Sequence, residues 1–259
     1  MVLLSVKSNA TVEAVASLAA VAPASAALVC LQNGVANEPT ALRWFGRVYG
    51  VCVMAPTSHL EPGVVAANCS PTAAILDIGC YPSGVDATTE AVAAALVAAG
   101  IVSQPRRDIM RWKYRKLMMN LANAVQAVCS RSDGFDELRD LIRVEGETAL
   151  AAAGIEAVSE TEDADRRGDI LQSKEIPGRP RSGGSTWQSL ERRTGAIEAD
   201  YLNGEVVWLG RRYDVETPAN ELIRREAARL AVQRSAPGTV DPRDLLQRLS
   251  DTTRPSGGG

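Results

Sequence analysis

The chain has 259 residues, of which 46% are hydrophobic and 23% are charged, and this composition excludes a wholly disordered protein. The formal net charge of -3 and the pI near 5.4 argue against nucleic acid and an anionic membrane as partners, because both bind basic surfaces. No apolar run reaches the ~18 residues of a membrane-spanning helix, and the N-terminus does not resemble a signal peptide, so we expect a cytoplasmic protein.

The first hundred residues alternate between short apolar runs and helical segments. The strand-like runs are residues 2–6, 27–31, 48–54, 64–68 and 74–78. The helical segments are residues 11–21, 37–45 and 87–99. Strands that alternate with helices indicate an α/β domain with a parallel sheet, which we assign to residues 1–103.

From Gln104 onward a helical period dominates, which predicts an all-α domain over residues 104–234. The predicted helices cover residues 108–129, 136–153, 186–203, 205–212 and 218–233. Thr217 can cap the last of these and Pro218 suits its first position. Residues 159–184 are rich in charge, Gly and Pro and predict a long loop with at most one helical turn. Residues 235–259 predict a flexible tail with one short helix over 242–249.

The five cysteines are odd in number and widely spaced, and His59 is the only histidine. No pair has the C-x-x-C spacing of a metal or redox site, so we interpret the cysteines as small buried side chains and predict no metal. His59 lies in what reads as a surface connection, which makes catalysis by it a weak hypothesis.

The dipeptide Asn33-Gly34 follows a buried strand. Ligands bind beyond the carboxyl ends of strands in a parallel sheet, and an Asn there offers both a donor and an acceptor. Asn-Gly is also a common turn, so a purely structural role is the alternative.

A helix over residues 111–123 places Lys116, Asn120 and Asn123 on one stripe. Two Asn residues are poor helix formers, which favours a binding role for their amides, although a plain solvent-facing stripe explains them equally well. Further along, Ser185 begins a helical segment, and Glu198 sits among small apolar neighbours. That carboxylate is either a surface group or a hydrogen-bond acceptor for a ligand.

Together these stretches resemble the ketopantoate reductase (2-dehydropantoate 2-reductase) family in order and rough spacing, from residue 1 to about residue 229. The matching residues are Val6-Lys7, Leu31-Gln32-Asn33-Gly34, the helix from Lys116 to Asn120, Ser185 with Gln188, Glu198-x-Asp200-Tyr201-Leu202-Asn203-Gly204, and Thr217-Pro218.

The resemblance implies an oxidoreductase in which a Rossmann domain binds NADPH and a helical domain closes over a 2-oxo acid. Lys116 resembles the residue that donates a proton to the substrate carbonyl, a role for which Arg115 is too weak an acid. Glu198 resembles the acid that holds the substrate hydroxyl. The other implied contacts are Asn33, Asn120 and Ser185 to substrate or nicotinamide, Lys7 to the cofactor, and, by a looser match, Asn123 to substrate.

The chain also departs from the family pattern, which opens with a G-x-G-x-x-G turn that seats the cofactor pyrophosphate. That motif does not occur here, and the Rossmann-like sheet is therefore expected to be partial, without a segment on the order of two βαβ units of ~30 residues each. We therefore expect this chain to bind NADPH weakly or not at all. Asp214 replaces a family glycine, which is a mild change because Asp tolerates the left-handed conformation.

Three hypotheses follow. The first is that the protein is an NADPH-dependent 2-oxo acid reductase. The second is a catalytically inactive remnant whose helical domain serves in folding or dimerisation. The third is a related dehydrogenase of another 2-hydroxy acid. A homodimer through the helical domain is the expected assembly. Translation of the DNA upstream of Met1 separates the first two hypotheses, and a substrate screen separates the first from the third.

Overall fold

A computed structural model describes residues 1–178 and 183–253. The strands are β1 (Val2–Leu4), β2 (Ala27–Cys30), β3 (Arg47–Met54), β4 (Thr57–Ser58), β5 (Ala66–Ala67), β6 (Cys69–Pro71), β7 (Ile75–Cys80) and β8 (Leu171–Ser173). The helices are α1 (Thr11–Ala19), α2 (Asn37–Ala41), α3 (Ala87–Ala98), α4 (Ile109–Val128), α5 (Phe135–Ala152), α6 (Glu160–Arg167), α7 (Ser185–Glu191), α8 (Asn203–Tyr213), α9 (Pro218–Val232) and α10 (Pro242–Thr253). Among the helices of these residues, none has both the length and the apolar character needed to cross a membrane.

The main sheet has the strand order β1-β2-β3-β7. β1, β2 and β3 run parallel, and β7 pairs antiparallel with β3, so the α/β class is confirmed with a mixed, mostly parallel sheet. The strand-like run at 64–68 does not join this sheet, because its residues Ala66 and Ala67 pair antiparallel with β4 instead.

Helices cover both faces of the main sheet because successive strand residues point to opposite sides. In β2, Leu28 and Cys30 pack with a core that includes Val15 of α1 and Ala41 of α2. The alternate residues of β2 pack with Val92 and Ala93 of α3 on the other face. The result is the helix-sheet-helix layering expected of an α/β domain.

The chain divides into two compact units. The first comprises Met1–Leu117 and the described part of the segment that begins at Glu156, and it holds the sheets. The second comprises Met118–Ile155 and the described residues beyond 182, and it is helical, with α5 packed on α8, α9 and α10. The helix α4 begins in the first unit and ends in the second.

The charge-rich segment 159–184 is more ordered than the sequence predicts. Ser159 caps α6, its side chain accepting a hydrogen bond from the Glu162 amide while the Glu162 carboxylate accepts one from the Ser159 amide. This capping box stabilises a helix where we expected a loop. β8 then pairs with β6. Residues 179–182 of the expected loop lie outside the described residues.

Two predictions in the helical unit are also wrong. The helix predicted over 186–203 ends at Glu191, because Arg193 and Gly195 adopt the positive φ angles of 52° and 75°. Thr217 does not cap α9 through its side chain, although Pro218 does occupy the first turn as predicted. Asp214 has φ 57° and ψ 46°, the left-handed conformation expected at this position.

The described part of the predicted tail packs against the helical unit. Leu245 of α10 is buried, and Arg248 pairs with Glu226 of α9 at 2.8 Å. The amide of Ser130 donates to the Val240 carbonyl at 2.9 Å. The helix predicted over 242–249 is therefore present as α10 and extends to Thr253, but it packs on its neighbours instead of lying in a flexible tail. Residues 254–259 lie outside the described chain.

Candidate functional site

The carboxyl ends of β1 and β2 lie side by side in the first unit. Leu4 is in register with Cys30, and the chain leaves both strands in the same direction. Lys7 and Asn33 each follow three residues after their strand, at the edge where a parallel sheet binds ligands. The predicted cofactor lysine and the predicted asparagine therefore come from adjacent segments.

A buried hydrogen-bond network fixes these two segments to each other. The Gln32 side-chain amide donates to the Val6 carbonyl at 2.6 Å and to Thr11 Oγ1 at 2.9 Å. Asn37 Nδ2 donates to the Asn33 carbonyl at 2.9 Å. Because buried polar groups are costly to leave unpaired, this network sets the conformation of the loop that carries Asn33.

The side chain of Asn33 does not take part in that network. Its Oδ1 is buried and has no hydrogen-bond partner among the residues that the structure describes. Such an acceptor is normally satisfied by a protein group, by water or by a ligand. Asn33 thus offers an acceptor at the ligand-binding edge of the sheet.

A buried ion pair contacts the loop that carries Asn33. Lys113 Nζ of α4 is 2.5 Å from Glu38 Oε1 of α2, and the two side chains are 2% and 0% exposed. Lys113 Nζ also donates to the backbone carbonyls of Gln32 at 3.0 Å and Val51 at 3.3 Å. Burial raises the pKa of the Glu38 carboxyl, and the neighbouring Lys113 ammonium partly offsets that rise.

Lys116, the predicted proton donor, lies one turn further along α4 and is half-buried. Burial raises the pKa of the Cys52 thiol in β3 to about 12, and the positive charges of Lys116 and Lys113 oppose that rise. The ammonium of Lys116 is therefore close enough to Cys52 to act on it electrostatically.

In the second unit, α4 presents the two predicted asparagines. Asn123 Nδ2 donates to Asn120 Oδ1 at 3.3 Å. Asn120 is buried, and its Nδ2 has no hydrogen-bond partner within residues 1–178 and 183–253. The amide of Asn120 therefore has an unused donor, as a ligand-binding side chain would.

The start of α7 lies against the same stretch of α4. The Gly184 amide donates to Gln126 Oε1 at 2.8 Å. A Cβ at Gly184 would come within 2.7 Å of Asn123 Oδ1, so this close approach requires glycine. Ser185, the first residue of α7, is therefore next to the asparagine pair, and the structure brings three of the predicted residues together.

Glu198 lies in the helical unit, half-buried, just before a short 3-10 helix over Ala199–Tyr201. The seven predicted residues thus divide between the units. Lys7, Asn33 and Lys116 belong to the first, and Asn120, Asn123, Ser185 and Glu198 belong to the second.

Lys113 and Glu38 were not predicted from the sequence, although α4 carries a signal for the lysine. Lys113 follows Ile109 and precedes Leu117 and Leu121 at steps of four residues, and all four are buried. A lysine within a core stripe is rarely buried without a charged partner. That partner, Glu38, comes from a distant segment and has no local signal.

The cysteines and His59 lie largely where the sequence predicts, the cysteines as small buried side chains and the histidine at the surface. Four of the cysteines are buried and the fifth, Cys80, is half-buried, all as free thiols. His59 lies outside the core, where Nδ1 is 2.9 Å from the Val64 carbonyl oxygen.

Two family models match the chain. The model described as ketopantoate reductase PanE/ApbA matches residues 1–82, and the one described as ketopantoate reductase PanE/ApbA C terminal matches residues 108–230. Together they cover the sheet, both asparagine stretches and Glu198.

Curated relatives and solved structures agree with this match. The 2-dehydropantoate 2-reductase of Pyrococcus horikoshii is 26% identical over 76% of this chain and 64% of its own length. That of Aquifex aeolicus is 25% identical over 87% of this chain and 74% of its own. The chain therefore spans about two thirds to three quarters of these relatives.

The crystal structure of a PanE/ApbA family ketopantoate reductase from Ralstonia eutropha superposes with a TM-score of 0.71 at 25% identity, over 90% of this chain and 76% of that one. D-mandelate dehydrogenase in its ternary structure with NADH and anilino(oxo)acetate gives 0.69 at 16% identity, over 90% and 77%, which shows a shared fold. Both halves of the sequence, and the fold, thus lead to one conclusion: the chain belongs to the ketopantoate reductase family.

Proposed function

We propose that this protein reduces 2-dehydropantoate, or a similar 2-oxo acid, with NADPH as the reductant. Family membership supports the reaction class. The observation that carries the proposal is Asn33, whose buried Oδ1 has no partner in the described chain and lies at the carboxyl edge of parallel strands beside the Lys7 segment.

The residues at this edge fit a nicotinamide cofactor. Asn33 Oδ1 would accept a hydrogen bond from an amide or hydroxyl of the bound molecule, and Lys7 would provide positive charge for an anionic cofactor. The cofactor itself supplies the hydride when bound. NADPH rather than NADH is part of the proposal, because the resemblance of the sequence to the ketopantoate reductase family implies it.

Lys116 is assigned the proton transfer to the substrate carbonyl. Negative charge develops on that oxygen during reduction, and an ammonium both stabilises the charge and supplies a proton. Lys113 is a poor candidate for this role, because an ammonium has three N–H donors and Lys113 directs them at Glu38, Gln32 and Val51.

The helical unit contributes the groups that orient the substrate. Asn120 has a buried, unused N–H donor within the described chain, and it is hydrogen-bonded to Asn123. Ser185 begins the helix packed at that pair. We assign these three to the carboxylate and carbonyl of the oxo acid. Glu198 is assigned to a hydroxyl of the substrate, from which its carboxylate would accept a hydrogen bond.

A steady-state assay that follows NADPH oxidation with 2-dehydropantoate tests the proposal. It is run on the 259-residue chain and on the chain with any in-frame sequence found upstream of Met1. Turnover in either form supports the function. Turnover only with other 2-oxo acids supports the related dehydrogenase, and no turnover with any of them supports the inactive family member.

We also propose a homodimer formed through the helical unit. A ketopantoate reductase from Staphylococcus aureus that shares the fold is described as dimeric. Light scattering after size-exclusion chromatography measures the mass, and a value near twice 27.5 kDa supports the dimer.

A further inference from the structure

We infer that Lys113 is a positioning residue that keeps Asn33 and Lys116 in place, and that the Glu38 carboxylate balances the buried positive charge of Lys113. This inference rests on the proposed function, because it concerns residues assigned there to the cofactor and the substrate. Lys113 does not itself contact the reacting groups, because its ammonium is buried and already directed at acceptors within the unit.

Lys113 connects three separate elements through one ammonium group. It lies on α4, and its acceptors belong to α2, to the loop after β2 and to β3. The contacts join residues that are 62 and 81 positions apart in the sequence. Long-range hydrogen bonds of a buried charge fix relative position more strongly than exposed ones, because water cannot replace them.

The peptide groups on both sides of Asn33 are held. Lys113 Nζ binds the carbonyl of Gln32, which precedes Asn33, and Asn37 Nδ2 binds the carbonyl of Asn33 itself. With both carbonyls held, the backbone at Asn33 has little freedom, so the Cα–Cβ bond that carries its unpartnered amide oxygen keeps one direction. The same ammonium anchors α4 one turn before Lys116.

The sheet leaves room for this ion pair at one position. A Cβ on Gly50 of β3 would lie 3.2 Å from Glu38 Oε1 and 3.3 Å from Lys113 Cδ, which is a tight contact. Glycine there lets the pair reach the backbone of the Asn33 loop. Buried ion pairs can often be replaced by uncharged side chains of similar size without loss of stability. We therefore expect this pair to matter for the position of the loop rather than for the stability of the fold.

The double variant Lys113→Met/Glu38→Gln separates positioning from stability. It removes both charges, keeps the side-chain volumes, and abolishes the bond to the Gln32 carbonyl. We expect it to fold and to melt within about 5 °C of the wild type. We expect amides 33–36 to exchange with deuterium ~10-fold faster, and kcat/KM to fall ~10–100-fold, with KM rising as well as kcat falling.

Single variants complete the test. Glu38→Gln keeps the Lys113 donors to the Gln32 and Val51 carbonyls but leaves the buried ammonium without its carboxylate. Its melting temperature should therefore fall, whereas loop exchange and kcat/KM, measured below the melting transition, are expected within ~3-fold of the wild type. Arg115→Gln, on the same helix, removes only an ion pair with the exposed Glu160 and is the matched control. If the double variant does not fold, Lys113→Met still decides, because burial raises the pKa of the Glu38 carboxyl and lets it take up a proton once the ammonium is gone. Wild-type loop exchange in folded Lys113→Met contradicts the inference.

Wild-type exchange and kinetics in the folded double variant would overturn the inference. The exchange measurement needs no cofactor and no turnover, so it judges the positioning role separately from the proposed function. A wild-type protein that reduces no 2-oxo acid would refute the function, whereas unchanged loop exchange in the double variant would refute the role of Lys113.

Discussion

At the residue scale, Lys116 carries the most specific chemical assignment. Lys116→Ala removes a group that acts on charge present only in the transition state, so we expect kcat to fall by ~10²–10⁴-fold with a smaller change in KM. Steady-state kinetics with NADPH and the best 2-oxo acid measures both constants.

The control for Lys116 is Arg115→Ala on the same turn of α4, which loses only the exposed pairing with Glu160. It should keep kcat within about twofold, because exposed ion pairs contribute little. If Lys116→Ala retains more than about a tenth of the wild-type kcat, the proton-donor role is refuted. Lys113 does not serve as this control, since its burial makes its loss costly in itself.

Substitution of Glu198 is expected to affect KM more than kcat, in contrast to substitution of Lys116. Glu198→Ala removes a proposed acceptor for a substrate hydroxyl remote from the hydride, so KM for the oxo acid should rise ~10-fold or more, with a smaller loss of kcat. Titrating the oxo acid at saturating NADPH gives the two constants. Equal KM values for variant and wild type would mean that Glu198 is an ordinary surface carboxylate.

Glu205 of α8 gives a pH-dependent prediction. Burial raises the pKa of its carboxyl to about 7 in the folded chain. The unfolded chain releases this proton at lower pH, so the stability that Glu205 contributes is complete below about pH 4.5 and is lost as pH rises through 7. Glu205→Gln should therefore be the more stable protein at pH 8, by ~1–3 kcal/mol, with no gain at pH 4.5.

Chemical denaturation at the two pH values tests this for Glu205→Gln. Glu216→Gln, at an exposed carboxylate after α8, is the control and should show no such gain. A Glu205→Gln protein less stable than the wild type at pH 8 would show that the charged carboxylate is stabilised in the folded state after all.

Some residues of the candidate site could be predicted from the sequence and others could not. The stripe of Lys116, Asn120 and Asn123 follows from helical spacing. The same spacing places four apolar residues beside it, and all four are buried: Leu117, Leu121, Ala124 and Val128. The pairing of Lys113 with Glu38 could not be predicted, because the two residues approach only when α2 and α4 pack on the same sheet.

At the element scale, Glu145 of α5 caps α9. Its carboxylate accepts hydrogen bonds from the amides of Ala219 and Asn220, each at 2.8 Å. The Asn220 side chain donates to the same carboxylate, also at 2.8 Å. Negative charge is favourable at a helix N-terminus, where amides lack partners within the helix. This carboxylate does what the sequence assigned to Thr217.

We expect Glu145→Ala to lower the free energy of unfolding by ~1–3 kcal/mol, because two amides and one side-chain donor lose their acceptor. Urea denaturation followed by circular dichroism measures it. Glu147→Ala, which removes an exposed pair with Arg143 on the same helix, should cost less than about 0.5 kcal/mol. Equal losses for the two variants would contradict the cap.

The ends of helices with regularly spaced apolar residues could be predicted to within a few residues. The ends of the other helices could not. α4 and α5 have continuous apolar stripes, and their observed ends lie within one residue of the predicted ones. α6 is almost wholly charged, so its only signal was the Ser159–Glu162 spacing. The end of α7 depends on the backbone conformation of Arg193, for which side-chain periodicity gives no indication.

At the scale of the whole molecule, sheet pairing was the least predictable feature. The apolar run of β7 is equally compatible with a parallel or an antiparallel neighbour, and its direction is decided by the connection from β3 through the short β4, β5 and β6 pairs. The layering of helices on both faces followed from the alternation of elements, which does not depend on strand direction.

The strands of the main sheet are unequally protected from solvent. β1 is an edge strand of three residues, and Leu3 is 53% exposed, whereas β3 is central and mostly buried. An open apolar cavity of about 440 Å³ lies on that face, and its lining includes Met1, Leu3, Val29 and Leu31.

Edge strands open locally more often than central ones. Deuterium exchange should therefore be fastest at β1 and slowest at β3, and Leu3→Thr should leave β3 unchanged while β1 exchanges faster still. Equal protection of the two strands would show that β1 is held as firmly as the centre of the sheet.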